Sequence, residues 1–361
     1  MNILAFESSC DETGASVVSY EGGSFRVKSN IIASQVETHR VFGGVVPEIA
    51  SRAHTEAISR ITYEALAEAD LEIKDIDLIA VTANPGLIGA LLVGVNFAKA
   101  LAAANSIPLV AVDHIKGHIA AAYLSESVPK PPYLALAVSG GHTAIYLAES
   151  YTDFRIIGTT RDDAIGESFD KIGRIIGIPY PAGRGFDELS ARGFEKATGV
   201  QIADGAYGKY KKSAAYKDKS MTLPSPALSG DNLDFSFSGL KTAAINLLHR
   251  HEMTNTELDK ELFAARYTFE AVEAVALKIK AALEKYPALP LVCAGGVAAN
   301  SHLRRRLAEV CEGLKRELFI PSLSLCGDNG AMIAAQGYYE YLNGNIADSS
   351  LNASALDSIG A

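Results

Sequence analysis

The stretch I-L-A-F-E-S-S-C-D-E-T-G-A-S-V-V, residues 3–18, reads as an apolar strand, a tight turn of small and polar residues, and a second apolar strand. Residues 134–147, L-A-L-A-V-S-G-G-H-T-A-I-Y-L, follow the same plan. Two such hairpins, each opening a lobe, predict a duplicated fold. Turns rich in Gly and Ser direct backbone N–H groups at an anion, so the pair favours a nucleotide cleft. Either one alone is equally compatible with an ordinary β-hairpin that has Gly where φ is positive.

Along the rest of the chain, apolar strand-like runs alternate with alanine-rich helical runs, which is typical of α/β proteins. Strands are predicted at about 2–6, 14–20, 25–32, 77–82, 108–112, 133–138, 143–148, 154–158 and 290–294. Helices are predicted at about 47–69, 87–104, 163–176, 185–194, 240–250, 256–285, 297–313 and 328–342. The order opens with a hairpin and not with a β-α-β unit.

The length and composition predict a folded protein of two lobes. The chain has 361 residues, of which 48% are hydrophobic and 21% are charged, so it can bury a large core. We expect an N-terminal lobe of residues 1–115 that is completed by about 328–343. A C-terminal lobe would comprise 116–327, and 344–361 would form a polar tail.

Charge and cysteine usage exclude several classes of protein. The formal net charge of −9 argues against a surface that coats nucleic acid, so any RNA has to meet a local patch. The four cysteines form no C-x-x-C motif, which fits a reducing cytosol.

The N-terminus lacks a basic segment and reads as a first strand, not a signal peptide. The most apolar stretch, about 87–104, is interrupted by Asn96 and Lys99 and looks too short for a bilayer, so we expect a cytoplasmic protein without a membrane segment.

Residues 113–118, D-H-I-K-G-H, contain the most specific side-chain pattern in the chain. His114 and His118 are four residues apart, so on a helix their imidazoles share one face and can bind one divalent ion. The preceding V-A-V-D is a predicted strand that leads into this helix, where open α/β sheets collect ligands. Ile115 stands where the zincin motif H-E-x-x-H has its glutamate base, which disfavours a metallopeptidase. Two histidines that share a helix face without a metal remain the alternative.

Carboxylates complete the candidate site. Asp11 and Glu12 lie together in the first hairpin turn, where like-charge repulsion can tune a general base or the pair can orient a metal-bound ligand. Asp170, expected at the end of a helix, and Asp187 are turn aspartates of the kind that cap backbone groups. Asp328, at the start of the last long helix, is either an N-cap or the oxygen ligand that completes the histidine pair. Two imidazoles and one carboxylate suit Fe²⁺ or catalytic Zn²⁺.

A third glycine segment, A-G-G-V-A-A-N at 294–300, follows a predicted buried strand. Its glycines permit close approach of a flat or phosphorylated ligand, and Asn300 can reach the ligand's hydroxyls or base. The segment does not match G-x-G-x-x-G, and the chain has no G-x-x-x-x-G-K-[ST]. Neither a Rossmann dinucleotide site nor a P-loop is therefore supported.

Seven ordered motifs between residues 2 and about 342 closely resemble the TsaD family of tRNA adenosine threonylcarbamoyltransferases, bacterial branch, also known by the older name O-sialoglycoprotein endopeptidases. They are E-S-S-C-D-E-T-G (7–14), H-I-K-G-H (114–118), V-S-G-G-H-T (138–143), F-D-K-I-G-R (169–174), the P-A-G turn ending at Gly183, A-G-G-V-A-A-N (294–300) and C-G-D-N-G-A-M-I (326–333). The ordered set is far more specific than any single motif. The archaeal and eukaryotic branch has a tyrosine metal ligand near the position of Ala137, so this chain is similar to the bacterial members.

The resemblance implies the actin-like ATPase fold that sugar kinases and heat-shock chaperones share, with duplicated mixed sheets. It implies that His114, His118 and Asp328 bind the metal, Fe²⁺ with Zn²⁺ as the alternative. The residues implied to line an adenylate cleft are Ala137, Val138, Ser139, Gly140, Gly141, Asp170, Gly183, Asp187 and Asn300.

The implied reaction moves a threonylcarbamoyl group from threonylcarbamoyl-AMP to N6 of adenosine 37 in tRNAs that read ANN codons. A metal as Lewis acid, glycine N–H groups on the leaving phosphate and Asp11 or Glu12 as proton acceptor would perform it. The resemblance also implies TsaB and TsaE as partner proteins and a TsaC-type synthase that makes the adenylate; a homodimer is left open. The basic stretch at 209–219 is either a tRNA contact or a solvated loop.

Two rival functions come from other classes. A small-molecule kinase of actin-like fold, such as a sugar kinase, explains the hairpins but gives no role to the histidine pair. A non-catalytic scaffold of the same fold is expected to lose both that pair and the Asp-Glu turn, and this chain keeps both.

Overall fold

The computed structural model describes residues 1–205, 207–226, 232–356 and 359. In these residues the strands are β1 Asn2–Glu7, β2 Glu12–Glu21, β3 Ser24–Ser34, β4 Leu78–Asn84, β5 Leu109–Asp113, β6 Tyr133–Val138, β7 Thr143–Ala148, β8 Phe154–Thr159, β9 Leu291–Ala294, β10 Leu318–Phe319 and β11 Ile346–Ala347. The α-helices are α1 Val36–Arg40, α2 Pro47–Glu68, α3 Ile88–Asn105, α4 His114–Ala120, α5 Ile165–Ile175, α6 Gly183–Thr198, α7 Ala214–Lys217, α8 Ser238–Met253, α9 Lys260–Lys285, α10 Ser301–Leu314 and α11 Gly330–Leu342.

The chain forms two compact units. The first comprises Met1–Tyr133, Ala148–Arg155 and the described residues from Pro321 onward, and the second comprises Leu134–Leu147 and Ile156–Ile320. The lobes predicted from the sequence, with a boundary near residue 115, stay a prediction. The contacts within the structure group residues 116–133 with the first unit.

The two units have sheets of corresponding strand order, β11-β5-β4-β1-β2-β3 and β10-β9-β6-β7-β8. In the first sheet β1 is antiparallel to β2 and parallel to β4. In the second sheet β6 is parallel to β9 and is also hydrogen-bonded to β7. Each unit therefore opens with a hairpin, as the sequence echo predicts. The first strand of each hairpin also joins a parallel partner from later in the chain.

Alternate residues of β1 point to opposite faces of the first sheet, and each set packs in a different core cluster. Leu4 and Phe6 belong to one core cluster, together with residues of α2 and α3. Ile3 and Ala5 belong to another cluster, with residues of β4, β5 and α11. Strand β1 is therefore buried on both faces, which fixes its end, and with it the following turn, in one place.

Helix α3 is, among the described residues, the one helix long and apolar enough by length and composition to cross a bilayer. The expectation that this stretch is too short is therefore wrong. Its side chains Val95, Ala98 and Ala102 lie in the same cluster as Leu4 and Phe6 of β1. These side chains form the buried face of α3, and 33% of its apolar window is buried inside the structure.

Capping residues explain where helix boundaries differ from the prediction. Helix α9 begins at Lys260 and not near 256, because the Asp259 side chain accepts hydrogen bonds from the N–H groups of Glu261 and Leu262. Helix α6 continues to Thr198, where Gly199 ends it at a φ of 74°. The short elements α1, β10 and β11 were not predicted, since two to five residues carry little periodicity. Strand β11 lies inside the predicted polar tail and pairs with β5.

Candidate metal centre and catalytic turn

Helix α4 positions the histidine pair. Its first turn is capped by Asp113, whose Oδ1 accepts hydrogen bonds from the N–H of Ile115 at 2.8 Å and of Lys116 at 3.2 Å. Asn84 Nδ2 donates to the other oxygen of Asp113 at 2.6 Å. The rings of His114 and His118 consequently face the same side of a fixed helix, with centroids 4.5 Å apart.

Close packing of α4 on α11 brings the third candidate ligand to this pair. A Cβ on Gly117 would lie 2.6 Å from Ile333 Cδ1, so glycine lets the two helices approach. Asp328 Oδ1 lies 3.2 Å from His118 Nε2 and 3.7 Å from His114 Nε2. Asp328 is not the N-cap of α11, because Asn329 Oδ1 accepts the hydrogen bond from the N–H of Met332 at 2.9 Å.

The ring nitrogens fit a metal better than they fit the protein. His118 is 1% exposed, and neither of its nitrogens makes a hydrogen bond. Leaving buried nitrogens unsatisfied is costly, which indicates a missing partner. Ligand atoms of His114, His118 and Asp328 lie within 4.8 Å of one another, and these residues form the one such cluster found in the described parts of the chain. Two imidazoles and one carboxylate form a donor set that suits Fe²⁺ or Zn²⁺.

Glu7, which sequence reasoning missed, fixes the orientation of His114. Its Oε2 lies 3.0 Å from His114 Nδ1 and accepts a hydrogen bond from Thr82 Oγ1 at 2.6 Å, while its Oε1 accepts from the N–H of Ser9 at 2.6 Å. Since a carboxylate accepts, Nδ1 donates to Glu7, and Nε2 is the ring nitrogen that could bind a metal in place of its own proton. Glu7 is the first residue of the E-S-S-C-D-E-T-G motif, and a charged residue at the end of an apolar predicted strand was the available sequence signal.

Electrostatics at this centre favour a cation. Burial alone would lower the pKa of His114, but the carboxylates of Glu7 and Asp328 raise it to about 9. Burial also disfavours the charged form of Glu7, yet the interaction with His114 is stronger and the pKa of Glu7 is lowered. Two carboxylates therefore surround two buried imidazoles, which is the charge pattern that stabilises a divalent ion.

The turn after β1 holds the two candidate acid–base residues. Glu12 begins β2, and burial, together with the neighbouring Asp328 and Asp11, raises the pKa of Glu12 to about 8. Ser34 Oγ donates to Glu12 Oε1 at 3.4 Å, and the N–H of Gln35 donates to the carbonyl of Asp11 at 3.0 Å. A carboxyl group with a pKa near neutrality, next to a metal centre, is suited to accept a proton.

Buried His54 holds the backbone of this turn. Its Nε2 lies 3.0 Å from the carbonyl oxygen of Cys10, and its Nδ1 lies 2.8 Å from Thr13 Oγ1. A carbonyl can only accept, so Nε2 donates and Nδ1 accepts from the Thr13 hydroxyl. His54 was also missed, because it lies on α2 far from the turn in sequence.

The predicted cleft residues 137–141 lie in the second unit, at the end of β6. Ala137 and Val138 are buried strand residues, so only their backbone can face a ligand. Ser139 Oγ accepts a hydrogen bond from the N–H of His142 at 3.1 Å, which closes the turn. Nothing lies within 4 Å of a Cβ built on Gly140 or Gly141, so their backbone is open to a ligand.

The other predicted cleft residues use their side chains inside the protein. Asp170 lies within α5, not at its end, and its Oδ1 accepts from the N–H of Ala182 at 2.8 Å. Asp187 accepts from the N–H of Ser301 at 3.1 Å and from its Oγ at 2.9 Å. Asn300 caps α10 by accepting from the N–H of Leu303 at 2.9 Å.

Two glycines near the cleft turn make close backbone approaches. A Cβ on Gly295, where φ is 96°, would lie 2.3 Å from the carbonyl oxygen of Val138. A Cβ on Gly166, which the sequence reasoning did not single out, would lie 2.4 Å from the carbonyl oxygen of Ser139. Gly183 begins α6 with open space around it. Within the second unit, the segments from β6, α5 and β9 therefore converge around one turn.

Solved structures of two other proteins share the fold. T. kodakarensis HypF matches with a TM-score of 0.54 at 15% identity, covering 98% of this chain and 49% of that chain. Component A of the Acidaminococcus fermentans (R)-2-hydroxyglutaryl-CoA dehydratase matches with a TM-score of 0.50 at 12% identity, covering 95% of this chain and 99% of that chain. With the two corresponding sheets, these likenesses identify the fold as that of the actin-like ATPases.

Sequence comparison identifies the family. The family model described as "TsaD: tRNA N6-adenosine threonylcarbamoyltransferase" matches residues 26–335. Proteins with the name tRNA N6-adenosine threonylcarbamoyltransferase from Lactobacillus delbrueckii subsp. bulgaricus and Clostridium botulinum are 46% and 45% identical, covering 98% of this chain and 94% and 96% of theirs. The chain therefore belongs to the TsaD family of tRNA N6-adenosine threonylcarbamoyltransferases, as its motifs indicate.

Proposed function

We propose that this protein transfers the threonylcarbamoyl group of threonylcarbamoyl-AMP to N6 of adenosine 37 in tRNAs that read ANN codons. The observation that carries this proposal is the convergence of the unsatisfied His118 nitrogens, Asp328 and the Glu12 turn in the first unit. Family membership supplies the reaction type.

His114, His118 and Asp328 would hold one metal ion, Fe²⁺ or alternatively Zn²⁺. When bound, it supplies a Lewis acid for the carbonyl of the threonylcarbamoyl group. Glu7 keeps His114 in the tautomer whose Nε2 is free to bind, and burial of His118 keeps water away from that side.

Glu12, or its neighbour Asp11, would accept the proton in the transfer step. The adenosine N6 attacks the carbamoyl carbon, the bond from this carbon to the phosphate oxygen breaks, and AMP leaves with the electron pair. The proton released from N6 goes to the carboxylate. Burial raises the pKa of Glu12, which makes it a stronger base than an ordinary carboxylate, so we assign it this role.

The second unit would hold the AMP portion by its backbone. The space around Gly140 and Gly141 would let the phosphate approach their backbone N–H groups, and the space at Gly183, where α6 begins, would let the nucleoside approach. Asp170 would act by fixing the backbone just before α6, since it accepts from the N–H of Ala182. Asp187 and Asn300 would fix the first turn of α10, since they accept from the N–H groups of Ser301 and Leu303.

The protein would work in the cytoplasm with TsaB and TsaE, and with a TsaC-type synthase that makes the adenylate. A homodimer is a second assembly to test. These partners come from the family resemblance, and the net charge of −9 agrees with a chain that receives RNA at a local patch.

The test is reconstitution with these partner proteins, threonine, bicarbonate, ATP and unmodified tRNA, followed by mass spectrometry of the tRNA nucleosides. We expect threonylcarbamoyladenosine at position 37. Glu12→Gln should lower the transfer rate by about a hundredfold with metal content intact, because a general base typically contributes that much. Asp11→Asn should act more weakly.

Glu21→Gln is the matched control, since Glu21 is exposed at the opposite end of β2. Wild-type rates in both turn variants would show that the proton goes elsewhere. No modified nucleoside from the complete mixture, with phosphorylation of a sugar instead, would establish the kinase alternative.

A further inference from the structure

Residues 207–221 of the second unit form a basic segment, here named the lysine strap. It consists of a 3-10 turn at Tyr207–Lys212, helix α7 and a second 3-10 turn at Lys219–Met221. Its five lysines are all exposed: Lys209, Lys211, Lys212, Lys217 and Lys219. One aspartate, Asp218, is its only acidic residue. The sequence alone does not distinguish a binding surface from a solvated loop.

The inner face of the lysine strap is packed on the core. The buried rings of Tyr207 and Tyr210 each lie 5.0 Å from the ring of Phe269 on α9, measured between centroids. They also contact Phe194 on α6, at 5.9 and 5.7 Å. Two buried aromatic anchors within four residues hold the segment against two helices, which a solvated loop does not need.

Polar contacts fix the backbone of the strap as well. The N–H of Tyr207 donates to Glu309 Oε1 at 2.6 Å, and Arg266 Nη1 donates to the carbonyl of Tyr216 at 2.5 Å. The Arg266 guanidinium also lies over the Tyr216 ring, 3.9 Å from its centroid. Ser213 caps α7 by accepting from the N–H of Tyr216. The lysines therefore project from a backbone that is already ordered.

Nearby acidic groups do not neutralise the outer face. Glu273 lies 3.5 Å from Lys211 but is also paired with Arg306. Glu309 is shared between Arg305 and Arg306. Asp218 accepts hydrogen bonds from Ser220, which favour its ionised form, so it contributes one negative charge to the strap. The four exposed lysines that the structure does not pair with Glu273 outnumber this one carboxylate and give the segment a local positive charge: Lys209, Lys212, Lys217 and Lys219.

We propose that the lysine strap binds the phosphate backbone of tRNA, apart from the acceptor adenosine. The proposal rests on the proposed function, which makes tRNA the polyanion that the protein must hold. Lysines act as point charges for phosphates, and two of the three aromatic rings of the strap, Tyr207 and Tyr210, are buried, so its contacts would be mainly electrostatic and independent of base sequence. An ordered backbone lowers the entropy cost of presenting several charges together.

The experiment compares two quadruple variants of equal net charge in the full chain. The strap variant is Lys209→Gln, Lys212→Gln, Lys217→Gln and Lys219→Gln, which leaves all three tyrosines in place. The control variant is Lys74→Gln, Lys130→Gln, Lys280→Gln and Lys285→Gln, at exposed lysines elsewhere. Dissociation constants for unmodified tRNA are measured between about 50 and 200 mM KCl, where phosphate contacts dominate affinity. Melting temperatures verify that both variants are folded.

The strap variant should bind tRNA at least about tenfold more weakly. Its salt dependence should flatten by about 0.7 to 0.9 for each phosphate that the variant no longer neutralises. In the reconstituted assay, KM for tRNA should rise while kcat stays near that of the wild type. The control variant should match the wild type in binding and in salt dependence.

Three outcomes would overturn the proposal. Wild-type affinity and salt dependence in the strap variant would show that the strap does not contact RNA. An equal loss in the control variant would show an effect of net charge alone. Unchanged tRNA binding, together with failure to assemble with the partner proteins, would make the strap a protein-docking surface. Failure of the proposed function is separate, because it appears as absent transfer by the wild type, whatever the binding data show.

Discussion

The candidate metal centre of the first unit and the glycine-rich turn of the second unit treat their polar side chains in opposite ways. Both ring nitrogens of His118 are buried without a hydrogen bond. By contrast, Asp170, Asp187 and Asn300 each accept a hydrogen bond from a backbone N–H of their own unit. In the first unit the side chains are kept for a ligand. In the second unit the side chains hold the backbone, and the backbone at Gly140 and Gly141 is what remains open.

A third location shows that an unsatisfied buried histidine is not by itself a metal site. His302 on α10 is buried, and neither of its ring nitrogens makes a well-formed hydrogen bond. Its neighbours are the rings of Phe194 and Tyr207, at 5.6 and 5.7 Å. His118 differs because a carboxylate and a second imidazole face it. The comparison predicts different consequences of replacing the two histidines.

The largest expected effect is on metal content. His118→Ala removes one of three ligands, so the bound metal should fall from about one equivalent per chain to near zero, and transfer should be lost with it. Elemental analysis of the purified protein measures this. His302→Phe is the matched control and should keep the wild-type metal content. Equal metal content in the wild type and in His118→Ala would remove the central inference about the first unit.

A smaller effect is expected from the carboxylate behind the metal centre. Glu7→Gln keeps the size of the side chain but weakens the hydrogen bond that fixes the His114 tautomer. Metal affinity should fall about ten- to a hundredfold, as for other groups that orient a metal ligand. Competition with a chelator of known affinity measures the change. An unchanged affinity would mean that the packing of α4 alone orients His114.

Much of this site could be predicted from sequence, because its chemistry lies in local motifs. The spacing of His114 and His118 and the presence of Asp328 in an ordered motif set were sufficient for the candidate ligands. Glu7 and His54 were missed, because only the pairing of β1 with β4 and the packing of α2 bring them to the site. A single sequence carries no direct signal for such long-range contacts.

The second unit was predicted less well for a related reason. Aspartate and asparagine side chains in turns bind either ligands or backbone groups, and the residue type alone does not distinguish these two uses. Asp187 was assigned to the cleft, and its carboxylate lies on the N–H and Oγ of Ser301. Gly166 was not singled out, since the need for glycine arises from the carbonyl of Ser139, which lies far from it in sequence.

The next prediction concerns acid stability and sharpens the contrast between the two buried histidines. Burial lowers the pKa of His302 to about 3, whereas an unfolded histidine has a pKa near 6.5. Between these values the unfolded state binds the proton and the folded state does not, so stability is lost as the pH falls below 6.5. The loss should reach at most about 3 kcal/mol at pH 4.

His302→Phe should abolish this part of the pH dependence, because phenylalanine does not titrate. Denaturant unfolding at pH 7 and pH 4 measures the free energy of unfolding of both proteins. His249, an exposed histidine on α8, provides the control variant His249→Gln, which should leave the pH dependence unchanged. An identical loss of stability in the wild type and in His302→Phe would mean that His302 is protonated without cost in the folded state.

The smallest effect is expected at Cys10, which tests whether every polar side chain of the first-unit turn serves chemistry. Burial, followed by the nearby carboxylates of Asp11 and Asp328, raises the pKa of the Cys10 thiol, so it stays protonated at neutral pH. A protonated thiol is neither a nucleophile nor a good metal ligand, and Cys10 then acts as a small packing residue. Cys10→Ser should therefore keep transfer within about threefold of the wild type and leave metal content unchanged. Iodoacetamide should modify the wild-type thiol more slowly than free cysteine at the same pH, since alkylation requires the thiolate.

A loss of activity comparable to that of His114→Ala would instead assign Cys10 a direct role in the reaction. The turn would then contain a reactive thiol in addition to the carboxylates of Asp11 and Glu12.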